Sequence, residues 1–300
     1  MATSNPTLRV VGLLDVLIRY PHRGFGLSEL AREVGISKGT CLAIADTLVE
    51  HGFLVQHAKT RAYRLGPALI TAGQAVLSGF VDLRPALGAL ARVTAEFDVS
   101  CSVLAVDNDQ LVVLERVGNP DPTYGLSQVG ARMPFAPPWG APFVAWGRPT
   151  DIDGWLDRSL VPLSEETRSA LRRALQAGRR LGFIATREIP PTHPAAVDLH
   201  RIRATAGAVD LAALRRLAAA RLSEIGYFID DLDAAATYQV NHIAVPLIGP
   251  DGRVVASLLA TMFGRHVTGE EVQRIGTRLI DVAADVVARV SHHRTAPEHF

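Results

Sequence analysis

Two short runs of this 300-residue chain hold the side chains best suited to chemistry at an anionic surface. Ser37-Lys38-Gly39-Thr40 combines a capping hydroxyl, a cation, a residue without a side chain and a second hydroxyl. At the start of a helix such a set offers donors and close backbone approach to phosphate. Further along, Lys59, Arg61 and Arg64 add three cations within one short stretch. Cys101 with some of the ten histidines is a third possibility, a nucleophile and its base. No histidine stands at a telling spacing, however, and a lone Cys in an apolar run reads as a small core residue. His292-His293 with His299 has no second ligand cluster, and Asp107-Asn108-Asp109 lacks the later Gly and Glu of a calcium loop. There is no Walker-type glycine loop. The expectation is therefore no catalysis, no metal and no cofactor.

The elements that must position these cations can be read from periodicity. Leu8, Val11, Leu14, Val16, Leu17 and Ile18 fall at helical spacings, and Tyr20-Pro21 stops that helix because the residue before proline is pushed out of the α region. Residues 27–48 then read as two helices broken at Gly35, with Ser37 capping the second through about Glu50. In a helix-turn-helix the pair cross closely, which requires a small residue at the crossing and favours glycine in the turn; Ala31 and Gly35 occupy those places. Leu27, Leu30, Val34, Ile36, Cys41, Ile44 and Leu48 supply the buried face. That leaves Lys38, Gly39, Thr40, Leu42 and Ala43 at the exposed start of the helix expected in the major groove. Gly52 ends it, and residues 53–55 and 62–65 read as two short strands joined through Ala58-Lys59-Thr60, a wing whose tip can reach phosphate or the minor groove. The contact candidates are Ser28, Ser37, Lys38, Gly39, Thr40, Leu42, Ala43, Lys59, Arg61 and Arg64. The competing reading is a small packed domain for protein contacts, on a metabolite-binding enzyme or sensor.

Charge at first sight opposes a nucleic-acid partner, because 31 Lys plus Arg against 30 Asp plus Glu leave a net +1. The average hides a gradient: residues 1–66 hold six Arg and two Lys against five acids, a net of +3. The composition, 48% hydrophobic and 20% charged, excludes a disordered chain, and no stretch approaches the roughly eighteen apolar residues of a membrane span. The polar N-terminus lacks a signal-peptide order, and two cysteines exclude a disulfide framework, so a reducing cytoplasm is expected.

Beyond residue 66, Gly66-Pro67 starts a helix through Ala68, Leu69, Ile70, Ala72 and Leu77, and residues 83–97 form another. Cys101, Val103 and Ala105 alternate with Ser102, Leu104 and Val106; a turn at Asp107-Asn108-Asp109 and a return strand over residues 111–117 complete a hairpin. A second hairpin spans residues 242–247 and 254–262 around Gly249-Pro250-Asp251-Gly252, before a last helix over residues 269–292. Strands on both sides of a helical middle imply an α+β chain whose sheet is mixed or antiparallel, with helices packed on it.

The run LSELAREVGISKGTCLAIADTLVEHGFLV, followed by YRLGPALITAG, resembles the N-terminal module of the IclR (isocitrate lyase regulator) family of bacterial transcription factors. The likeness continues through VGARMPFAPPWGAPFVAW, IGYFIDD and NHIAVPLIGPDGRVVASLLATMF, and so covers most of the chain. It implies a winged helix-turn-helix domain over residues 1–66, an interdomain helix over 67–82 and a GAF-like effector-binding domain over 83–300. It also implies the partners: double-stranded operator DNA, a small-molecule effector and further copies in a homodimer or homotetramer, in a nucleoid-associated cytoplasmic protein. Carried over by motif, the effector candidates are Phe135, Trp139, Gly140, Ala141, Asp230, His242, Leu259 and Thr261. Three departures stand out. Leu42 and Ala43 replace a common His-Arg pair; the loop over residues 134–140 is one residue short and carries Phe135, Pro137, Pro138 and Trp139; and Leu259 and His242 stand where serine and cysteine are frequent. Apolar and aromatic walls with few polar groups imply an effector that is aromatic or otherwise bulky and apolar. LRRALQAGRRLGFIATRE looks like a first copy of LRRLAAARLSEIGYFIDD, so residues 184–222 read as an insertion: a lid, an oligomer contact or a solvent-exposed excursion.

Overall fold

The computed structural model describes residues 5–78, 84–118, 129–188, 211–223, 227–261 and 264–293. They fall into two compact units, which divide the chain near residue 80.

In the first unit α1 (Asn5–Arg19) ends ahead of Tyr20-Pro21, and α2 (Leu27–Val34) and α3 (Lys38–Glu50) form the expected pair. Between them Gly35 sits at φ +71°, where an L side chain would be strained, and its N–H closes on the carbonyls of Ala31 and Arg32. Ala31 is buried at the approach of α3, as the crossing demands. The wing is β1 (Leu54–Gln56) paired antiparallel with β2 (Tyr63–Leu65), in the register Leu54↔Leu65. Phe25 adds a bridge to Tyr63. Leu13, Leu17, Phe25, Leu30, Cys41, Ala45, Leu54 and Tyr63 make one continuous core under all of these elements. α4 (Ala68–Ser78) closes the unit.

The second unit begins with α5 (Arg84–Phe97), followed by the hairpin β3 (Ser100–Asp107) and β4 (Gln110–Val117) and by β5 (Arg132–Pro134). Three helices, α6 (Ala141–Ala145), α7 (Pro149–Asp157) and α8 (Glu165–Leu181), lead to β6 (Ile184–Arg187) and α9 (Leu211–Ser223). The chain ends with β7 (Thr237–Ile248), β8 (Val254–Thr261), β9 (His266–Thr268) and the long α10 (Gly269–His293). The sheet runs β5-β4-β3-β8-β7-β6, with β9 on the early half of β7, and every pairing is antiparallel. The α+β class read from the sequence is the observed one. β7 starts five residues earlier than its apolar run because Thr237, Tyr238 and Gln239 pair with β9, too short a strand to leave an alternation.

Strand periodicity divides the sheet's side chains. Cys101, Val103, Ala105, Leu258, Ala260 and Ile243 share the face against which α5 and α10 pack. Ser102, Leu104, Ser257, Leu259, Thr261, His242 and Ala244 share the other, toward α6.

The segment expected as an insertion is part of this architecture where it is described. β6 is a strand of the main sheet, and the two similar steps lie side by side: Phe228 bridges Thr186, while Tyr227 and Ile229 exchange backbone bonds with Arg187 and Ala185. α9 buries Ala213, Leu214, Leu217, Ala218 and Ala220 against Leu111, Met133 and Trp139. A solvent-exposed excursion would leave that apolar stripe in water. Residues 189–210 of that segment lie outside the described residues.

Candidate functional site

The start of α3 is built by its cap. The Thr40 N–H donates to Ser37 Oγ at 3.1 Å and the two hydroxyls lie 2.9 Å apart, which settles one of the orphan donors and leaves the neighbouring ones pointing outward. Ser37, Lys38, Gly39, Leu42 and Ala43 are exposed and Thr40 is half-buried; Ser28 is exposed in the first turn of α2. No acid occupies the first turn of α3 to oppose an anion there. At the wing the Arg61 N–H donates to His57 O and the His57 N–H to Ala62 O, a tight loop that leaves Lys59 and Arg61 exposed at the tip. Arg64 is exposed on β2 opposite Val55. Arg23 pairs with Glu29 and Arg32 with Glu33, whereas among the described residues Lys38, Lys59, Arg61 and Arg64 have no acidic partner.

A second constellation surrounds a cavity of about 110 Å³ in the other unit. Its floor is the sheet face carrying Ser102, Leu104, Ser257, Leu259, Thr261, His242 and Ala244, extended by Leu111, Val113 and Met133. Its roof is the loop and helix start of Pro138, Trp139, Gly140, Ala141, Pro142 and Phe143. Gly140 has φ +85°, and a Cβ there would come within 2.5 Å of the Phe135 ring, so both the turn and the packing require glycine. Trp139 is held in turn by Trp155, whose indole N–H donates to its carbonyl at 2.7 Å inside the core.

The polar groups gather at one end. A register shift between Thr186 and Arg187 skips Asn241, and this bulge brings Asn241 and His242, neighbours in sequence, to the same cavity. The His242 Nδ1 lies 2.9 Å from Asn241 Nδ2 and 3.0 Å from Thr186 Oγ1. With the amide donating, the ring is left to carry its proton on Nε2. Burial first, then the positive charge of Arg221, drives the His242 pKa down to about 3, so the imidazole is neutral. Its accessible surface faces the cavity, which is why it is half-buried by area and yet strongly desolvated. Thr261 donates to Ser100 O at 3.3 Å and Ser257 to Val245 O at 3.0 Å. Ser102 Oγ and Arg221 Nε, both buried, have no hydrogen-bond partner among the described residues.

Of the effector candidates, Trp139, Gly140, Ala141, His242, Leu259 and Thr261 line this one cavity. Two do not. Phe135 turns away beneath Gly140, edge-on to Phe143 at 6.1 Å and under the Arg158 guanidinium at 5.5 Å. Asp230 is exposed beyond the strand-like Tyr227–Ile229 step and is not among the lining residues. The sequence reading missed Ser102, Asn241, Ser257 and Arg221. Arg221 had a signal: it continues the buried Leu214, Leu217, Ala218 stripe of α9, where a charged residue is out of place. Cys101 lies on the opposite face of the sheet with its pKa pushed up to about 11 by burial, which keeps the thiol protonated and unfit as a nucleophile. Among the described residues no group of three His, Cys, Asp or Glu could hold a metal ion, and no helix is long and apolar enough to cross a membrane.

A winged helix-turn-helix unit followed by an antiparallel sheet with a roofed cavity defines a two-unit chain of the DNA-binding winged-helix class. The IclR helix-turn-helix domain matches residues 7–58. The chain is 26% identical over 163 residues to the HTH-type transcriptional regulator XynR of Escherichia coli, a match spanning 52% of this chain and 64% of XynR, just under two thirds of its length. It is 29% identical over 185 residues to the HTH-type transcriptional regulator Rv1719 of Mycobacterium tuberculosis, spanning 60% of this chain and 70% of that one. The IclR of Thermotoga maritima superposes with a TM-score of 0.65 at 17% identity, covering 95% of this chain and 98% of its own. An IclR homolog from Microbacterium hydrocarbonoxydans, complexed with 4-hydroxybenzoate, superposes with a TM-score of 0.57 at 19% identity, covering 96% and 100%. At such identities the structural likeness speaks for the fold. With the domain match and these relatives beside it, residues 7–58 form an IclR helix-turn-helix domain, and the rest of the chain is similar in fold to IclR-family regulators.

Proposed function

We propose that this protein is a ligand-responsive bacterial transcriptional regulator, in which residues 1–66 bind operator DNA, 67–82 connect, and 83–300 bind a small-molecule effector. The observation that carries the reading is the set of exposed cations Lys38, Lys59, Arg61 and Arg64, without acidic partners among the described residues, of which Lys38 lies within residues 7–58, the span matched by the IclR helix-turn-helix domain, and the other three follow it directly on the wing. Ser28, Ser37, Gly39, Thr40, Leu42 and Ala43 surround them as further DNA contacts, in a protein that works in the cytoplasm beside the nucleoid. Fluorescence anisotropy against the intergenic DNA upstream of its own gene is the test. Salt-sensitive, sequence-selective binding that weakens in Lys38→Ala and Thr40→Ala is expected; affinity unchanged in both variants would remove α3 from the interface.

The cavity supports an effector that is aromatic or otherwise bulky and apolar. Leu104, Leu111, Val113, Met133, Trp139 and Phe143 wall it, and a relative of the same fold carries 4-hydroxybenzoate. A thermal-shift screen in which only two- and three-carbon acids raise Tm would overturn this part. Heads of this size bind DNA usefully in pairs, and apolar side chains left in water, Leu8, Val11 and Ile18 on α1 and Ile70 and Val76 on α4, support a homodimer or homotetramer. A monomer by light scattering at micromolar concentration would refute it.

A further inference from the structure

Among the described residues Arg221 is the one charged side chain lining the cavity, and it is only 6% exposed. It enters from α9, in the segment read from the sequence as an insertion, at the next position of a stripe whose other members, Leu214, Leu217 and Ala218, are fully buried. No carboxylate answers it among the described residues. Its nearest described neighbour of note is the Tyr227 ring, 5.4 Å from the guanidinium carbon, and its Nε has no hydrogen-bond partner. An arginine kept out of water without a counter-charge is unfavourable, and proteins retain such a group where a ligand supplies the missing anion. Two of the other polar groups can also donate: Ser102 has a hydroxyl with no partner among the described residues, and His242 accepts at Nδ1 and so has Nε2–H to offer. Ser257 and Thr261 give their protons to backbone carbonyls. What the polar end lacks, among the described residues, is a negative charge.

We propose that Arg221 is the anion anchor of this cavity and that the effector is an organic acid, its carboxylate held against Arg221 at the His242 end and its apolar body lying under Trp139. The inference rests on the reading of the cavity as the effector site. It adds to that reading the charge of the ligand and a residue that neither the family motif nor the effector candidates include. Specificity then has two parts: the apolar walls select the body, and α9 selects the acid over its neutral isosteres.

The test uses the full chain with three matched probe pairs, each an acid beside its amide: benzoate, phenylacetate and cyclohexanecarboxylate. Benzyl alcohol serves as a neutral apolar control. Affinities are read by calorimetry and Tm by thermal shift, in wild type, Arg221→Met and Arg221→Lys. At least one acid should bind wild type tenfold or more tightly than its amide. Arg221→Met should lose that preference while its affinity for the amide or benzyl alcohol stays within about threefold, which shows the cavity intact; Arg221→Lys should keep part of it. The ligand-free Arg221→Met protein should melt no lower than wild type, because an unpaired buried charge has been removed, whereas a merely structural arginine would lower Tm. Amides that bind wild type as well as their acids, or an acid preference that survives in Arg221→Met, would overturn the anchor and leave the effector site standing. Failure of every probe, charged and neutral alike, would overturn both. If Arg221→Met does not fold, the acid-to-amide ratio in wild type and in Arg221→Lys decides on its own.

Discussion

Four cations left unpaired on one head set a number that a salt titration can read. Lys38, at the start of α3, Lys59 and Arg61, at the wing tip, and Arg64, on β2, are all exposed and have no acidic partner among the described residues. With each on a phosphate, two heads on one operator neutralise about eight phosphates. Each contact contributes about −0.9 to the slope of log K against log salt, so the slope should lie near about −7. Raising salt from about 50 to about 200 mM would then weaken binding about 10⁴-fold. Lys59→Ala removes one contact per head and should bring the slope to about −5.4; Lys59→Ala with Arg61→Ala should bring it to about −3.6. Thr40→Ala, which removes a hydroxyl and no charge, should lower affinity for the operator and leave the slope alone. Fluorescence anisotropy at four or five KCl concentrations measures all of these. A wild-type slope shallower than about −3, or a slope that does not move in the wing double variant, would mean that the wing does not touch the backbone.

Three further outcomes test the sensing unit. His242 has a folded pKa near 3 against an ordinary 6.5, so between those values the unfolded chain holds a proton that the folded chain does not. Its contribution to stability is complete above pH 6.5 and is lost as pH falls toward 3, at a rate of at most about 1.4 kcal/mol per pH unit. Urea melts of wild type and His242→Gln at pH 7 and pH 4.5 should show a smaller acid loss in the variant; parallel losses would mean that the ring is already charged. Gly140→Ala forces a Cβ to 2.5 Å from the Phe135 ring at φ +85°, and should cost about 1–3 kcal/mol in a denaturant melt together with binding of the apolar control. Trp155→Phe removes the donor to Trp139 O and leaves that carbonyl buried without a partner, a loss of about 1–3 kcal/mol. A variant as stable as wild type would show that water replaces the indole.

How much of this was legible in the sequence depended on whether a signal was local. Gly35, Ser37 and the Tyr20-Pro21 step act on their immediate neighbours, and the head came out as read, with the cap bond on Ser37 and the left-handed turn at Gly35 both present. The two hairpins were legible for the same reason, since alternation and turn chemistry lie within a few residues of each other. The cavity is assembled from β3, β4, β5, β7, β8, the roof loop and α9, and motif matching supplied the parts of it that lie in family-like segments. It does not extend to Phe135 and Asp230, which stand near lining positions in the chain but outside the lining. Phe135 does so because Gly140 lets the backbone fold onto its ring.

Asn241 and Arg221 show the two ways in which a site escapes a linear reading. Simple alternation assigns Asn241 to the face opposite His242, and only the bulge against β6 reverses that. Arg221 was within the segment taken for an insertion, so no family position pointed to it, yet its placement on the apolar stripe of α9 was visible as a charge at helical spacing from Leu214, Leu217 and Ala218. An amphipathic helix that buries an arginine gives up hydration of a full charge, which the surrounding apolar contacts do not return. The residue therefore calls for an anionic partner that no described carboxylate supplies, and the cavity it lines is the place for that partner to occupy.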